Sequence, residues 1–197
     1  MALPFPRSKA IEIMSSHIAN KGLQKHCMSV GFAMKALAKH FSAPDIDLWE
    51  LAGILHDSDW EVTKDDHASH TRKTVEWIRS AANPDAKEET EVLVRTILSH
   101  NCHNNGEPMP TNNREWSLYC CDELTGLIVA TTLIMPSKKL ADVSPESVIK
   151  KMGSKNFAAA VDREGIKMCE EKLGIPLPEF VKIVLTGMQE GHIELGL

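Results

Sequence analysis

The sequence predicts an all-α fold, a compact bundle of several helices around one hydrophobic core. Apolar residues recur every three or four positions in most of the chain, whereas no stretch shows the strict alternation of a half-buried strand. Helix boundary signals separate these stretches, as where Ser144 precedes Pro145 and where Gly174 precedes Pro176. With 197 residues and no linker or repeat, the chain is expected to form one domain.

Composition argues against several classes of protein. The formal net charge of −5 gives no general attraction to phosphate backbones, so duplex nucleic acid is not an expected partner. No run of about 18 apolar residues occurs, so no membrane span is expected, and the N-terminal residues lack the layout of a signal peptide. Five cysteines without a C-x-x-C pair indicate neither a disulfide framework nor a thiolate zinc site. These features predict a cytoplasmic protein, either a monomer or a homodimer.

Two helices are predicted at the N-terminal end. The first covers about residues 8–19, with Ser8 as its N-cap, and the second covers about residues 22–41. The apolar residues of the second helix form one face, and His26 stands at the edge of that face. The side chain of His26 is therefore expected to point inward.

A third helix, which starts near the candidate N-cap Asp47, is predicted to end at the pair His56-Asp57. Because residues 48–55 are mostly apolar, this helix is expected to be buried and to carry that pair into the interior. An acidic loop follows. Its acidic residues could face solvent as an ordinary charged loop, or one of them could orient or deprotonate a water beside a metal ion; Asp59, the nearest to Asp57 in sequence, is the candidate for that role.

Histidines accompany the next two predicted helices, residues 67–81 and 87–99. His67 and His70 are three positions apart at the start of the first helix and would share one face. His100 ends the second helix, and His103 lies in a turn rich in Asn and Gly.

The central helix of the bundle is predicted at about residues 113–135, which are almost continuously apolar after Trp116. Asp122 and Glu123 lie in its middle. A buried carboxylate costs free energy unless it is paired or bound to a metal, so Asp122 is a candidate ligand. Three more helices, at residues 145–152, 156–173 and 178–191, are expected to pack as a C-terminal part (136–197) on the core of residues 22–135.

Four polar residues of these helices form a spaced pattern, namely His26, the adjacent pair His56-Asp57, and Asp122. At these residues the chain resembles the HD superfamily of metal-dependent phosphohydrolases, whose pattern is His, then His-Asp, then Asp across an all-helical domain. The resemblance covers about residues 22–135.

The sequence around the pattern is similar to an uncharacterised HDIG-type bacterial branch of that superfamily. The apolar run 51–55 before His-Asp and the segment 119–127 around the last Asp carry this likeness. One difference is that Ser58-Asp59 stands where that branch has Ile-Gly.

The resemblance implies one or two divalent metal ions, for which Mn, Fe, Co, Ni, Mg or Zn suit nitrogen and oxygen ligands. One ion would be bound by His26, His56, Asp57 and Asp122. A second would be bound by His70 and His100, with Asp57 as the bridge between the two.

The implied activity is hydrolysis of a phosphoester of a nucleotide or small phosphorylated metabolite by a metal-bound hydroxide. The residues expected to take part in catalysis are Asp57, Asp59 and Glu123. The residues expected to contact the substrate are His67, His103, Lys138, Lys139 and Arg163.

Two other functions are compatible with the same ligands. HD-type mixed-valent di-iron oxygenases use the same six groups around two irons, so ligand identity alone does not separate an oxygenase from a hydrolase. A non-catalytic HD binding module is the third interpretation. Taken singly, each of the nine histidines is more often a surface or core residue, but several polar groups in apolar settings favour a shared ligand.

Overall fold

A computed structural model describes residues 2–197, and within them it contains twelve α-helices, one 3₁₀ helix and no strand. The all-α prediction is confirmed. In chain order the α-helices are α1 (Arg7–His17), α2 (Lys21–His40), α3 (Ile46–Leu55), α4 (Trp60–Thr63), α5 (Arg72–Ala81), α6 (Lys87–His100), α7 (Cys102–Asn105), α8 (Asn113–Ile134), α9 (Pro145–Met152), α10 (Arg163–Leu173), α11 (Leu177–Glu190) and α12 (His192–Leu195). The 3₁₀ helix, Leu140–Asp142, lies between α8 and α9.

The hydrophobic core consists of two clusters of buried side chains. One joins α2 and α8 to the C-terminal helices α9, α10 and α11, and the other joins α1, α3, α5 and α6. Residues of α2 and α3 contribute to both clusters, because these two helices pack against each other along their length. The C-terminal helices pack on α2 and α8, and the division into domains stays a prediction.

The crossing of α2 and α3 depends on glycine. A Cβ atom at Gly53 would lie 2.6 Å from the backbone N of Gly31 and 2.6 Å from the carbonyl oxygen of Val30. These atoms belong to the backbone of α2 and cannot rotate away. The absence of a side chain at Gly53 therefore lets α3 approach α2 closely.

Glu50 anchors the same helix through charge. Its carboxylate is almost fully buried and accepts hydrogen bonds from Nε of Arg7 at 2.6 Å and from Nζ of Lys35 at 2.7 Å. A buried carboxylate requires such partners, because burial without them costs several kcal/mol. The two ion pairs join α1, α2 and α3.

The central helix α8 is long and apolar enough, by length and composition alone, to cross a membrane, but 56% of its most apolar window is buried inside the bundle. It packs against α2, α6 and α10. Most of its apolar residues therefore have protein partners, as expected of the core helix that the sequence predicts, and only Leu133 and Ile134 at its C-terminal end are exposed large apolar residues.

Several predicted helix boundaries were wrong. The first and third helices begin after Pro6 and Asp45, and neither Ser8 nor Asp47 is the N-cap. The acidic loop contains the short helix α4, and the turn after His100 contains α7.

Two predicted helices begin later than expected. Residues 67–71 form turns, because Thr71 adopts a left-handed conformation with φ of 79°, which a continuous α-helix excludes. The predicted helix 156–173 begins at Arg163, and the guanidinium of that residue donates hydrogen bonds to carbonyls of the preceding turns. By contrast, Ser144 caps α9 as predicted, accepting a hydrogen bond from the backbone N of Ser147.

Gly53→Ala should lower the free energy of unfolding by about 1–3 kcal/mol, because the added methyl group must displace the backbone of α2. Gly126→Ala is the matched control, since a Cβ there meets nothing within 4 Å, and its free energy of unfolding should stay unchanged or rise by up to about 1 kcal/mol. Chemical denaturation of the two variants measures both values. Equal stability of the two would contradict the close crossing.

Candidate metal centre

The six predicted ligands come from five different segments, and five of them line one cavity of about 360 Å³. His26 is in the second turn of α2, His56 and Asp57 follow α3, and His70 precedes α5. His100 ends α6, and Asp122 is in the middle of α8. The cavity is lined by His26, Asp57, Trp60, His67, His70, His100, Asn101, Asn104, Asp122, Glu123 and Gly126, while His56 lies fully buried behind it.

Two histidines and two aspartates form the first half of the centre. Nε2 of His26 lies 2.9 Å from Oδ1 of Asp122 and 3.7 Å from Oδ2 of Asp57. Nε2 of His56 lies 3.3 Å and 3.5 Å from the same two oxygens. These four ligand atoms therefore surround one small volume.

The other oxygen of Asp57 faces the second half of the centre. Oδ1 of Asp57 lies 3.1 Å from Nε2 of His70 and 3.7 Å from Nε2 of His100. The two histidine nitrogens are 3.3 Å apart. Asp57 thus stands between two groups of ligands, with one carboxylate oxygen directed at each.

The outward nitrogen of each histidine is held by a hydrogen bond. Nδ1 of His56 lies 2.8 Å from the carbonyl oxygen of Gly53, and Nδ1 of His100 lies 2.8 Å from that of Ile97. A carbonyl can only accept, so Nδ1 carries the proton and Nε2 of the neutral ring presents its lone pair to the cavity. Second-layer contacts of this kind orient metal-binding histidines in proteins.

The other two histidines have side-chain partners. Nδ1 of His70 lies 2.8 Å from Oδ1 of Asp59. Nδ1 of His26 lies 3.3 Å from Oγ1 of Thr125, whose hydroxyl donates to the carbonyl of Asp122. All four rings therefore direct Nε2 toward the same centre.

The arrangement fits bound cations. Nε2 of His56 is buried and has no hydrogen-bond partner among residues 2–197, which is costly for a polar atom. Nε2 of His70 and Nε2 of His100 face each other at 3.3 Å, and two lone pairs at that distance need a proton or a cation between them. Nitrogen and carboxylate ligands in this number suit divalent transition metals.

A comparison with known families identifies this constellation, since the family model of the HD domain matches residues 23–130. The chain belongs to the HD domain family. The match covers more than half of the chain and includes His26, His56, Asp57 and Asp122. No similar chain was found among curated proteins or among solved structures. The HDIG-type branch stays a prediction, because the family match does not distinguish branches.

The carboxylates of this HD domain change the pKa values of its histidines. Burial lowers the pKa of His56, but the negative charges of Asp57 and Asp122 more than reverse that effect and raise it to about 9. Burial likewise lowers the pKa of His70, and hydrogen bonds to Asp57 and Asp59 raise it to about 9. Metal ions and protons would therefore compete for the same nitrogens.

The aspartates shift in the opposite direction. Burial raises the pKa of Asp57 and of Asp122, but in each case the nearby His56 and further histidines hold the pKa well below the usual range for a carboxyl group. Both carboxylates are therefore ionised at neutral pH, as metal binding requires.

Asp59 has a different role from the predicted one. It is fully buried, its Oδ1 accepts hydrogen bonds from His70 and from the backbone N of Thr71, and its Oδ2 accepts one from the backbone N of Thr74. With both oxygens occupied and no contact with the cavity, Asp59 cannot deprotonate a water there. Instead it orients His70 and supports the left-handed Thr71.

Glu123, a predicted catalytic residue, and His67, a predicted substrate contact, both line the cavity. Glu123 is next to Asp122 on α8, and burial together with the charge of Asp122 raises the pKa of Glu123 to about 7. His67 is exposed, and its ring lies edge-on to Trp60 at a centroid distance of 5.3 Å.

The predicted cationic substrate ligands lie elsewhere. Lys138 and Lys139 are exposed beyond the C-terminal end of α8, and Asp122 precedes that end by about 18 Å of helix at 1.5 Å per residue. The guanidinium of Arg163 donates its hydrogen bonds to backbone carbonyls that precede α10. His103 is exposed and its Nε2 lies 2.8 Å from the hydroxyl of Tyr119, outside the cavity.

Four cavity residues were missed by the sequence reasoning: Trp60, Asn101, Asn104 and Gly126. Asn101 donates from Nδ2 to the carbonyls of His67 and His70, and so ties the turn that carries His70 to the end of α6. The position of Asn101 directly after His100 was the sequence feature that could have indicated its place in the cavity. Trp60 gave none beyond its position three residues after Asp57.

Substitutions in the two groups of ligands should each remove a different metal ion. Metal analysis of the purified wild type should find two divalent ions per chain. Asp122→Asn and His100→Gln should each retain one ion. Asp57→Ala should retain none, because Asp57 faces both groups of ligands. Each loss should be at least about 10- to 100-fold in affinity. His40→Ala, at the exposed end of α2, is the control that keeps both ions. Full occupancy in Asp57→Ala would refute the bridge.

Proposed function

We propose that this HD domain is a metal-dependent phosphohydrolase that cleaves a phosphoester of a nucleotide or small phosphorylated metabolite. The observation that supports it most is the carboxylate of Asp57, whose two oxygens face two separate groups of histidine nitrogens. Pairs of neighbouring metal ions are typical of enzymes that displace an oxygen from phosphorus, because they stabilise the attacking and leaving oxygens together.

The residues divide between two ions. His26, His56, Asp57 and Asp122 would hold the first, and Asp57 with His70 and His100 would hold the second. When bound, such ions supply Lewis acidity, which polarises a phosphoryl oxygen and lowers the pKa of a coordinated water.

Glu123 is the residue that this proposal uses for proton transfer. The carboxylates of Asp57 and Asp122 contact histidine nitrogens, whereas Glu123 lines the cavity and has no histidine ion-pair partner among residues 2–197. In the reaction, a water oxygen forms a new bond to phosphorus and the bond to the leaving oxygen breaks. One water proton passes to the Glu123 carboxylate and then to the leaving alcohol, so the overall change is hydrolysis.

Charge in the cavity also bears on the substrate. Among residues 2–197, no Lys or Arg lines the cavity that holds the histidines. Neutralisation of a phosphoryl group therefore depends on the bound cations, with His67 and Asn104 as exposed donors at the wall. A small phosphorylated substrate fits this site better than a polyanion, which would need an extended basic surface. A cytoplasmic location, without a membrane or duplex nucleic acid partner, belongs to the same proposal.

Phosphoester hydrolysis should appear only when Mn, Co, Ni, Mg, Zn or Fe is present. Chelation should abolish phosphate release, and Asp122→Ala should lower it by at least about 10³-fold while helical circular dichroism persists, because one ion loses its carboxylate. Hydrolysis in ¹⁸O-labelled water should place one label in the released phosphate. The reaction should proceed equally without oxygen. Oxygen consumption with substrate cleavage, and no phosphate release from a broad panel, would support the di-iron oxygenase instead.

Glu123→Gln should lower kcat by about 10²-fold, because the amide cannot take a proton from water. Metal content should stay at the wild-type value, since Glu123 is not among the ligands. Glu171→Gln, an exposed residue of α10, is the control with unchanged kcat. An unchanged kcat in Glu123→Gln would remove this residue from the reaction.

A further inference from the structure

A second cavity, of about 570 Å³, adjoins the one that holds the histidines. The two cavities share His26 and Trp60 as lining residues. The second cavity is otherwise lined by Asn20, Gly22, Leu23, Glu61 and Lys64, so it lies between the start of α2 and the helix α4. The two cavities are therefore neighbours that meet at the side chains of His26 and Trp60.

Trp60 contacts two histidine rings at the boundary of the two cavities. Its ring lies edge-on to His70 at 5.0 Å and to His67 at 5.3 Å between ring centroids. The next residue, Glu61, accepts hydrogen bonds from the backbone N atoms of Ala19 and Asn20 at 2.9 and 2.7 Å, which ties α4 to the loop before α2. The indole is only partly buried, so it presents surface to both cavities.

The walls of the second cavity favour an apolar, flat group. Leu23 and Trp60 provide apolar surface, and an indole face stacks preferentially on another π-system. The one carboxylate there, that of Glu61, is already satisfied by two backbone N–H groups, which lower the pKa of Glu61. Lys64 is exposed, and among residues 2–197 it is the only Lys or Arg that lines either cavity.

We infer that this second cavity, here called the Trp60 subsite, binds the leaving group of the substrate, and that this leaving group carries a flat aromatic or heterocyclic ring stacked on Trp60. Lys64, which lines the same cavity, would then pair with an anionic substituent on that ring. The inference rests on the proposed phosphohydrolase function and specifies its substrate class. It assigns Trp60 and Lys64 to specificity rather than to bond cleavage.

Benzyl phosphate and cyclohexylmethyl phosphate test the stacking, because both release a primary alcohol of similar size but only one contains a flat ring. Wild-type kcat/KM should favour the benzyl ester by about 10-fold, within the range that stacking on an aromatic side chain supplies. The preference should fall to about 1 in Trp60→Leu and persist in Trp60→Phe. A ratio measured on one preparation is independent of the amount of folded protein.

Trp77→Leu is the matched control. Trp77 is also partly buried and also contacts a histidine ring, that of His17, which stacks on it at 3.5 Å between ring centroids, but Trp77 lines neither cavity. This variant should keep the wild-type preference. Equal rates for the two esters in the wild type, or a preference that survives in Trp60→Leu, would overturn the inference.

Binding gives a readout that does not depend on turnover. Benzylphosphonate should bind the metal-loaded protein about 10-fold more tightly than cyclohexylmethylphosphonate in calorimetry, and Trp60→Leu should remove that difference. If no phosphoester were hydrolysed but the binding difference and its loss in Trp60→Leu were observed, the phosphohydrolase proposal would fail while the Trp60 subsite stood. If phosphoesters were hydrolysed but the two phosphonates bound equally well, the Trp60 subsite would fail while the phosphohydrolase proposal stood.

Lys64 is tested by adding charge to the ring. The wild type should prefer 4-carboxybenzyl phosphate over benzyl phosphate by up to about 5-fold, the limit for one exposed ion pair. Lys64→Ala should lose that preference, while Lys73→Ala, an exposed lysine of α5 outside both cavities, should keep it. A wild type that does not prefer the carboxylated ester would exclude Lys64 from the subsite.

Discussion

The position of one carboxylate, that of Asp57, organises the centre of this HD domain. Its two oxygens face four histidine nitrogens from four segments, at distances between 3.1 and 3.7 Å. Such an assembly of lone pairs and negative charge inside a protein is unfavourable unless cations or protons neutralise it. The surrounding fold must therefore hold these groups together against their own repulsion and desolvation.

Hydrogen bonds to the backbone of the ligand-bearing helices keep two of these histidines in place. The carbonyls of Gly53 and Ile97, each three residues before a histidine, accept the outward proton of that histidine. This local geometry is available because each histidine stands at the last turn of a helix, where carbonyls lack an intrahelical partner. The close crossing of α2 and α3 at Gly53 then sets the end of α3 relative to His26.

The residues directly beyond the centre show how structure and function share one segment. Asp59, two residues after Asp57, accepts hydrogen bonds from His70 and from the backbone N of the left-handed Thr71. Trp60, the next residue, leaves the core and lines two cavities. The short helix α4 therefore lies between the metal centre and the Trp60 subsite, and Glu61 ties it to the loop before α2.

The sequence by itself determined the all-α fold, most helix positions and the HD pattern, because helical periodicity and caps act over four or five neighbouring residues. Only the tertiary structure decided which polar side chains face the cavity. Glu123 does, whereas Asp59, Lys138 and Arg163 do not, and Trp60 does without a sequence signal. The reason is physical: these placements depend on how separate helices cross and on a left-handed turn at a threonine, which no local pattern encodes.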